Sequence, residues 1–125
     1  MRDYFEEDTE NTVLSAFTVE NINSVDVDAI STSVSSIHID PQSRFSTLEY
    51  FLGSNLTNTQ LSIISSGIQK ISANSNLFGF VFEQYNSIPA WASEGSNVRI
   101  LRTNNYDFSF YNDFEYTLNI EISKS

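Results

Sequence analysis

The sequence predicts a single α+β domain, in which one or two helices pack on one face of a mixed or mainly antiparallel β-sheet. Two patterns carry this prediction. Apolar residues recur at helical spacing over residues 57–72, whereas residues 114–122 alternate between apolar and polar side chains. Strand-like segments lie on both sides of the helical segment, and this order is typical of α+β domains.

The composition predicts a folded chain with one hydrophobic core. Of its 125 residues, 40% are hydrophobic, 14% are aromatic and only 18% are charged. Disordered chains combine low hydrophobicity with high charge, and a chain of this length is large enough to bury a core. We therefore predict one domain over residues 1–125, with residues 1–11 as an acidic N-terminal arm that contacts a neighbouring molecule.

The first third of the chain reads as strands followed by a short helix. We predict a strand at 13–19, a turn at 21–23, and one long strand or two short strands over 25–39. Pro41 cannot donate a hydrogen bond to a sheet and ends this region. A helix is predicted at 43–52, with Gly53 after its end.

The best helix signal begins at Thr57. Thr57 and Gln60 have the spacing of a capping box, in which two side chains satisfy backbone N–H groups at a helix start. An apolar stripe follows at helical spacing, formed by Leu61, Ile64, Ile68 and Ile71.

The remainder of the chain predicts strands and turns. The apolar run 77–82 is typical of a central strand, and 86–95 reads as a loop. Further strands are predicted at 98–102, 106–110 and 114–122, with turns at 103–105 and 111–113. In the last strand the apolar face comprises Phe114, Tyr116, Leu118, Ile120 and Ile122.

Charge and cysteine content exclude several classes of function. The chain contains sixteen acidic and six basic residues, and the resulting net charge of −10 repels nucleic acid and anionic membranes. The absence of cysteine excludes disulfides, thiolate zinc sites and cysteine nucleophiles. The acidic start does not resemble a signal peptide, and no apolar run could span a membrane. We expect a soluble protein of the cytoplasm or of a virion.

No group of residues predicts an enzyme's active site. His38 is the only histidine, and strand alternation places it on one face with Asp40, but two residues make an incomplete site. The acids Asp26 and Asp28, and likewise Glu115 and Glu121, have the spacing of the polar side of a strand. We therefore expect no catalytic residue, no cofactor and no metal ion.

Aromatic and apolar residues in predicted loops are the best candidates for partner binding, because exposed Tyr and Trp side chains are common anchors of protein interfaces. Two arginines lie beside them and are expected to pair with Glu94, with Asp107 or with acids of a neighbouring copy. The candidate partner-binding residues are Tyr4, Phe5, Tyr85, Ile88, Trp91, Arg99, Arg102, Tyr106 and Tyr111.

Two functions remain open at this point. The first is a non-enzymatic structural or assembly subunit, for example a small phage virion or tail component, which binds copies of itself or neighbouring subunits. The alternative is an acidic inhibitor or immunity-type protein that mimics nucleic acid and blocks a basic surface of its target. Acids spread along the chain argue mildly against the alternative, because a mimic aligns its charges on one face.

Overall fold

The computed structural model describes residues 11–13, 17–19, 24–34, 36–74 and 79–124. Within these residues the chain forms three α-helices and seven strands in two sheets, so the predicted α+β class is confirmed. The predicted arm as far as residue 10, with Tyr4 and Phe5, and the predicted turn at 21–23 lie outside the described residues. In chain order the elements are β1 (Asn11–Val13), β2 (Phe17–Val19), α1 (Ser24–Ser33), β3 (Ser36–Ile39), β4 (Ser43–Ser46), α2 (Thr47–Tyr50), α3 (Asn58–Asn74), β5 (Gly79–Val81), a 3₁₀ turn (Arg102–Asn104), β6 (Phe108–Asn112) and β7 (Thr117–Lys124).

The first sheet is mixed and is built around β7. Strand β3 pairs with β7 antiparallel, with Ile37 opposite Ile120. Strands β1 and β2 pair with successive segments of β7 and run parallel to it. Of the strand predicted over 13–19, Val13 is the last residue of β1 and residues 17–19 form β2, whereas residues 14–16 lie outside the described residues.

The second sheet has the order β4-β6-β5, and both of its pairings are antiparallel. Its inner face is aromatic, because Phe45 of β4 lies opposite Phe110 of β6 and both side chains are buried. Phe108 completes this face with no exposed surface, and its ring centroid lies 6.5 Å from that of Phe45.

Helix α3 confirms the strongest sequence prediction. The Thr57 N–H donates to Gln60 Oε1 at 2.9 Å, and the Gln60 N–H donates to Thr57 Oγ1 at 3.1 Å, which completes the capping box. The predicted apolar stripe is buried throughout. The helix contacts β2 of the first sheet and β5 of the second, so it joins the two sheets.

The strand predicted over 25–39 is wrong in its first part, where the chain forms α1. Val27, Ile30 and Val34 recur at helical spacing, and Ile30 is fully buried. Gln60 Nε2 of α3 donates to Asp26 Oδ1 at 2.8 Å, which fixes the first turn of α1 against α3. Only the second part of the prediction is confirmed, by β3.

The helix predicted over 43–52 is also mostly wrong, because its first four residues form β4 and only one helical turn, α2, follows. Pairing with β6 buries Phe45 and holds this segment extended. Ser46 caps α2 by accepting a hydrogen bond from the Glu49 N–H at 3.3 Å. Asp107 adds a second acceptor, for the Leu48 N–H at 3.0 Å and for the Ser46 hydroxyl.

The segment predicted as a strand at 98–102 forms no regular strand: Leu101 makes an isolated antiparallel bridge with Tyr106, and the segment lies against α3. The Val98 N–H donates to Ser66 Oγ at 3.0 Å, and the Ile100 N–H donates to Ser62 Oγ at 2.8 Å. Two serine hydroxyls of a helix thus take the place of carbonyl oxygens of a neighbouring strand. Next to this segment, the turn predicted at 103–105 is confirmed by the 3₁₀ turn.

The turn predicted at 111–113 begins later than expected. Asn112 is the last residue of β6 and is fully buried, and its side chain donates to the carbonyl oxygens of Ile39, Asp40 and Tyr116. The chain then bends through residues 114–116, so the predicted last strand starts at residue 117 and not at 114. Phe114 and Tyr116 stack on each other at 4.9 Å instead of continuing a strand face.

No helix in the described part of the chain is long and apolar enough to cross a membrane.

Candidate functional site

Five aromatic side chains and one arginine form a continuous row that we call the aromatic row. Its members, in spatial order, are Phe80, Phe82, Tyr106, Arg99, Tyr85 and Trp91. The neighbouring ring centroids lie 6.4 Å apart for Phe80 and Phe82, 5.5 Å for Phe82 and Tyr106, and 5.7 Å for Tyr85 and Trp91. The row therefore runs from β5, through Tyr106 and Arg99, to the loop residues Tyr85 and Trp91 and forms one surface.

Strand β5 and the residue that follows it, Phe82, carry the two phenylalanines on the outside of the sheet. Side chains alternate along a strand, so Phe80 and Phe82 share one face, while Gly79 and Val81 share the other. A Cβ atom at Gly79 would lie 2.5 Å from the Phe108 ring, so the inner face of β5 packs directly on the core. Phe80 is 63% exposed and Phe82 is 54% exposed.

Arg99 connects the two halves of the row. Its guanidinium carbon lies 5.8 Å from the Tyr85 ring centroid and 5.6 Å from that of Tyr106, which is within the range of cation–π attraction. The Arg99 backbone N–H donates to the carbonyl oxygen of Glu83 at 3.0 Å. The arginine is thus held at both its backbone and its side chain.

Tyr85 is fixed by three polar contacts. Asn97 accepts from the Tyr85 N–H at 3.2 Å and donates to its carbonyl oxygen at 2.9 Å, so the amide side chain pairs with the backbone as a strand residue would. The Tyr85 hydroxyl donates to Ser62 Oγ of α3 at 3.3 Å. This half of the row is therefore pre-organised by the core helix.

Within the chain, Glu94 and Asp107 are not the partners of the two arginines, and pairing with acids of a neighbouring copy stays a prediction. Asp107 accepts hydrogen bonds around the start of α2 and from the Phe108 N–H at 2.7 Å. Arg102 is exposed and donates to Asn58 Oδ1 at 3.3 Å, whereas Arg99 lies against tyrosine rings. Tyrosine rings therefore surround Arg99, and the Asn58 amide binds Arg102. The sequence had predicted carboxylates as the partners of both arginines.

The structure brings four of the predicted binding residues together, namely Tyr85, Trp91, Arg99 and Tyr106. Trp91 is half-buried and packs against the hydrophobic core, so it both closes the core and borders the row. Ile88 is 50% exposed in the nearby loop. Tyr4 and Phe5 lie outside the described residues.

Tyr111 lies on the same outer face of the second sheet, but it is not part of the row. Phe80 is opposite Ser109, and Tyr111 follows Ser109 by two residues on β6. Its hydroxyl donates to Gln42 Oε1 at 3.4 Å. The outer face of this sheet thus carries Phe80, Phe82 and Tyr111 with substantial exposure.

Sequence reasoning missed Phe80 and Phe82. The apolar run 77–82 predicted a central strand, whereas within the described residues β5 is an edge strand that pairs with β6 alone. The available signal was the alternation of the small residues Gly79 and Val81 with two phenylalanines, which is typical of a strand with two different faces. Residues 77 and 78 lie outside the described part of the chain.

The lone histidine lies at a shallow cavity of about 300 Å³. His38 is exposed on β3, its Nδ1 atom contacts Asn119 Oδ1, and its Nε2 atom lies 3.3 Å from Ser36 Oγ. The charged and aromatic residues around it are also exposed, namely Asp40, Arg44, Glu49 and Tyr50.

The predicted acidic pairs do not form sites. Asp26 and Asp28 lie in α1, where residues two apart point to different sides of the helix, so they do not share a strand face. Glu115 lies in the bend before β7 and Glu121 within β7, so these two do not share a strand face either. In the described part of the chain no three His, Asp or Glu residues are grouped so that they could hold a metal ion.

Comparisons with protein-family models, with curated proteins and with solved structures found no match.

Proposed function

We propose that this protein is a non-enzymatic structural or assembly subunit that binds other protein chains through the aromatic row. The observation that carries the proposal is the exposure of Phe80 and Phe82 on an edge strand, in contact with a pre-organised group of tyrosines, a tryptophan and an arginine. Tyr, Trp and Arg side chains dominate the energetic centres of protein interfaces.

The exposed phenylalanine surface provides a driving force for binding. A phenylalanine has roughly 200 Å² of accessible surface, so each of the two rings leaves about 100 Å² in water. Burial of apolar area contributes about 25 cal/mol per Å², or about 2.5 kcal/mol for each ring. Covering both rings therefore favours association by about 5 kcal/mol before the entropic cost of binding is subtracted.

The rigid support of the row reduces that cost. Tyr85 is bonded to Asn97 and Ser62, and Arg99 lies between two rings, so these side chains need little further ordering when a partner binds. The two phenylalanines project from a strand whose other face packs on the core. A surface built in this way suits permanent or repeated contact between subunits.

Site-specific photo-crosslinking tests the proposal. A photoreactive phenylalanine analogue is placed at position 80 and, as a matched control, at Leu52, which is 86% exposed and lies outside the row. The proposal predicts that position 80 crosslinks to a protein chain in an extract of the native source and that position 52 does not. Equal crosslinking at both positions, or none at position 80, contradicts it.

A further inference from the structure

The chain itself occupies the edge beside β5, so a partner reaches the aromatic row from the outer face of the sheet. The Glu83 carbonyl accepts a hydrogen bond from the Arg99 N–H at 3.0 Å. The backbone of Tyr85 is paired with the Asn97 side chain, through a donor at 3.2 Å and an acceptor at 2.9 Å. The surface that remains open is therefore the ring surface of the outer face, and not a row of backbone groups.

The aromatic row already binds one arginine of its own chain. The guanidinium carbon of Arg99 lies 5.8 Å from the Tyr85 ring centroid and 5.6 Å from that of Tyr106. A guanidinium is planar and weakly hydrated, so it stacks readily on aromatic faces. The Tyr106 ring is followed in the row by Phe82, at 5.5 Å, and then by Phe80. These two rings are more than half exposed, and they offer a further cation the same kind of surface.

Carboxylates lie at the border of the exposed rings. Glu83 directly follows Phe82 in the chain, and Asp107 lies beside it, because the Phe82 N–H donates to the Asp107 carbonyl at 3.3 Å. Asp113 is exposed and follows Tyr111 by two residues. A cation placed on the rings of Phe80 and Phe82 therefore lies near negative charge.

The charge of the whole chain acts in the same direction. Arg44 lies opposite Tyr111 on the outer face, but its guanidinium is 4.0 Å from Glu49 Oε1, so a carboxylate offsets its charge. The net charge of the chain is −10. At long range this charge repels a second copy and any acidic segment, whereas it attracts a basic one.

We propose that the aromatic row binds a basic segment of a different protein, whose arginine side chains lie on the rings of Phe80 and Phe82. The rings provide the contact surface, and the carboxylates at their border provide the attraction. Arginine suits this surface better than lysine, because the lysine ammonium is compact and strongly hydrated. This inference rests on the proposed function, since it names the chemistry of the partner for the same aromatic row.

The size of the effect follows from the exposure of the rings. A cation over an exposed ring strengthens binding by about two- to fivefold for each ring. Loss of both rings should therefore weaken binding by about tenfold. Salt screens the attraction between the acidic chain and a basic segment, so the affinity falls as salt is added.

Isothermal titration calorimetry of the full chain with a short synthetic peptide of alternating arginine and glycine tests the charge of the partner. The control peptide has glutamate in place of arginine. The expected result is that the arginine peptide binds, with an affinity that falls as salt is added, and that the glutamate peptide does not bind. No binding of the arginine peptide at low salt, or equal binding of the two peptides, overturns the inference.

The position of the cations is tested by removing the rings while apolar side chains are kept. The double variant Phe80→Leu, Phe82→Leu should bind the arginine peptide about tenfold more weakly than the unchanged chain. The matched control Tyr50→Leu removes an exposed ring outside the row and should leave the affinity unchanged. Equal affinities of the double variant and the unchanged chain, both folded by circular dichroism, contradict the placement of arginine on these rings.

The same peptide separates this inference from the proposed function. If the arginine peptide does not bind but position 80 still crosslinks to another protein, the basic partner is wrong and the proposed function stands. If the peptide binds through the rings but position 80 crosslinks to no protein chain, the proposed function is wrong and the row is a site for cationic peptides.

Discussion

The guanidinium carbon of Arg99 lies 5.6 Å from the ring centroid of Tyr106, and 5.8 Å from that of Tyr85 on its other side. One cation thereby links the exposed phenylalanines of β5 to the half-buried Tyr85 and Trp91. The continuity of the aromatic row depends on this residue.

Replacement of Arg99 by methionine tests the link. Methionine retains the apolar stem but loses the cation–π attraction, which contributes about 0.5–1 kcal/mol for each ring at an exposed site. We expect the free energy of unfolding in urea to fall by roughly 1–2 kcal/mol. The matched control Arg102→Met, at an exposed arginine bonded to Asn58, should change it by less than about 0.5 kcal/mol.

Substitution of an exposed phenylalanine should mainly reduce partner binding, whereas substitution of a buried phenylalanine should mainly reduce the stability of the fold. Phe82→Ser removes a ring that is 54% exposed, so we expect loss of partner binding together with a smaller loss of stability than the removal of a fully buried ring causes. Phe108→Ala removes a fully buried ring and should cost about 3–5 kcal/mol. Thermal unfolding followed by circular dichroism measures both, and a large destabilisation by Phe82→Ser would show that this ring serves the core.

Ser62 is expected to stabilise the fold through the backbone of residue 100. Ser62→Ala leaves the buried Ile100 N–H without its acceptor and also removes the partner of the Tyr85 hydroxyl. An unsatisfied buried donor costs about 1–3 kcal/mol, and chemical denaturation should show a loss in this range. Ser33→Ala, at the exposed last residue of α1, is the control and should have almost no effect.

Asn112 should tolerate no substitution that removes its two donors. Asn112→Asp turns a carboxylate toward the carbonyl oxygens of Ile39, Asp40 and Tyr116, so we expect a loss of at least about 3 kcal/mol. The exposed Asn86 provides the control, because Asn86→Asp makes the same change of charge in a loop. Similar melting temperatures for the two variants would contradict the role assigned to Asn112.

Helix α3 was predictable because its local signals and its tertiary contacts agree. The capping box at Thr57 and Gln60 and the apolar spacing of Leu61 and Ile64 act within a few residues, and the core confirms both. Helix α1 was not predicted, because Val25–Asp28 alternate like a strand while Val27 and Ile30 also fit a helix. Two periods cannot be distinguished over so few residues.

Strand β4 was missed for a different reason. Its extended form depends on pairing with β6, and Phe110, which lies opposite Phe45, is far away along the chain. The segment 98–102 likewise takes its conformation from the hydroxyls of Ser62 and Ser66, which local propensity does not contain.

The sequence indicated the aromatic side chains beside the loops, but it did not indicate Phe80 and Phe82, the most exposed members of the aromatic row. Tyr85, Trp91, Arg99 and Tyr106 flank predicted turns, and a concentration of such side chains near loops is a visible signal. Whether an apolar strand such as β5 lies at the centre or at the edge of a sheet depends on the strand order.

Hydroxyl-radical footprinting of Phe80 and Phe82 tests whether the aromatic row is the surface that binds other protein chains. The two rings are labelled in the dilute isolated chain and again in the assembled form isolated from the native source, with Leu52 as an internal reference. We expect strong labelling of both rings in the dilute chain and a several-fold loss in the assembly, while labelling of Leu52 does not change. Equal labelling of Phe80 and Phe82 in the two states would contradict the assignment of the aromatic row as the binding surface.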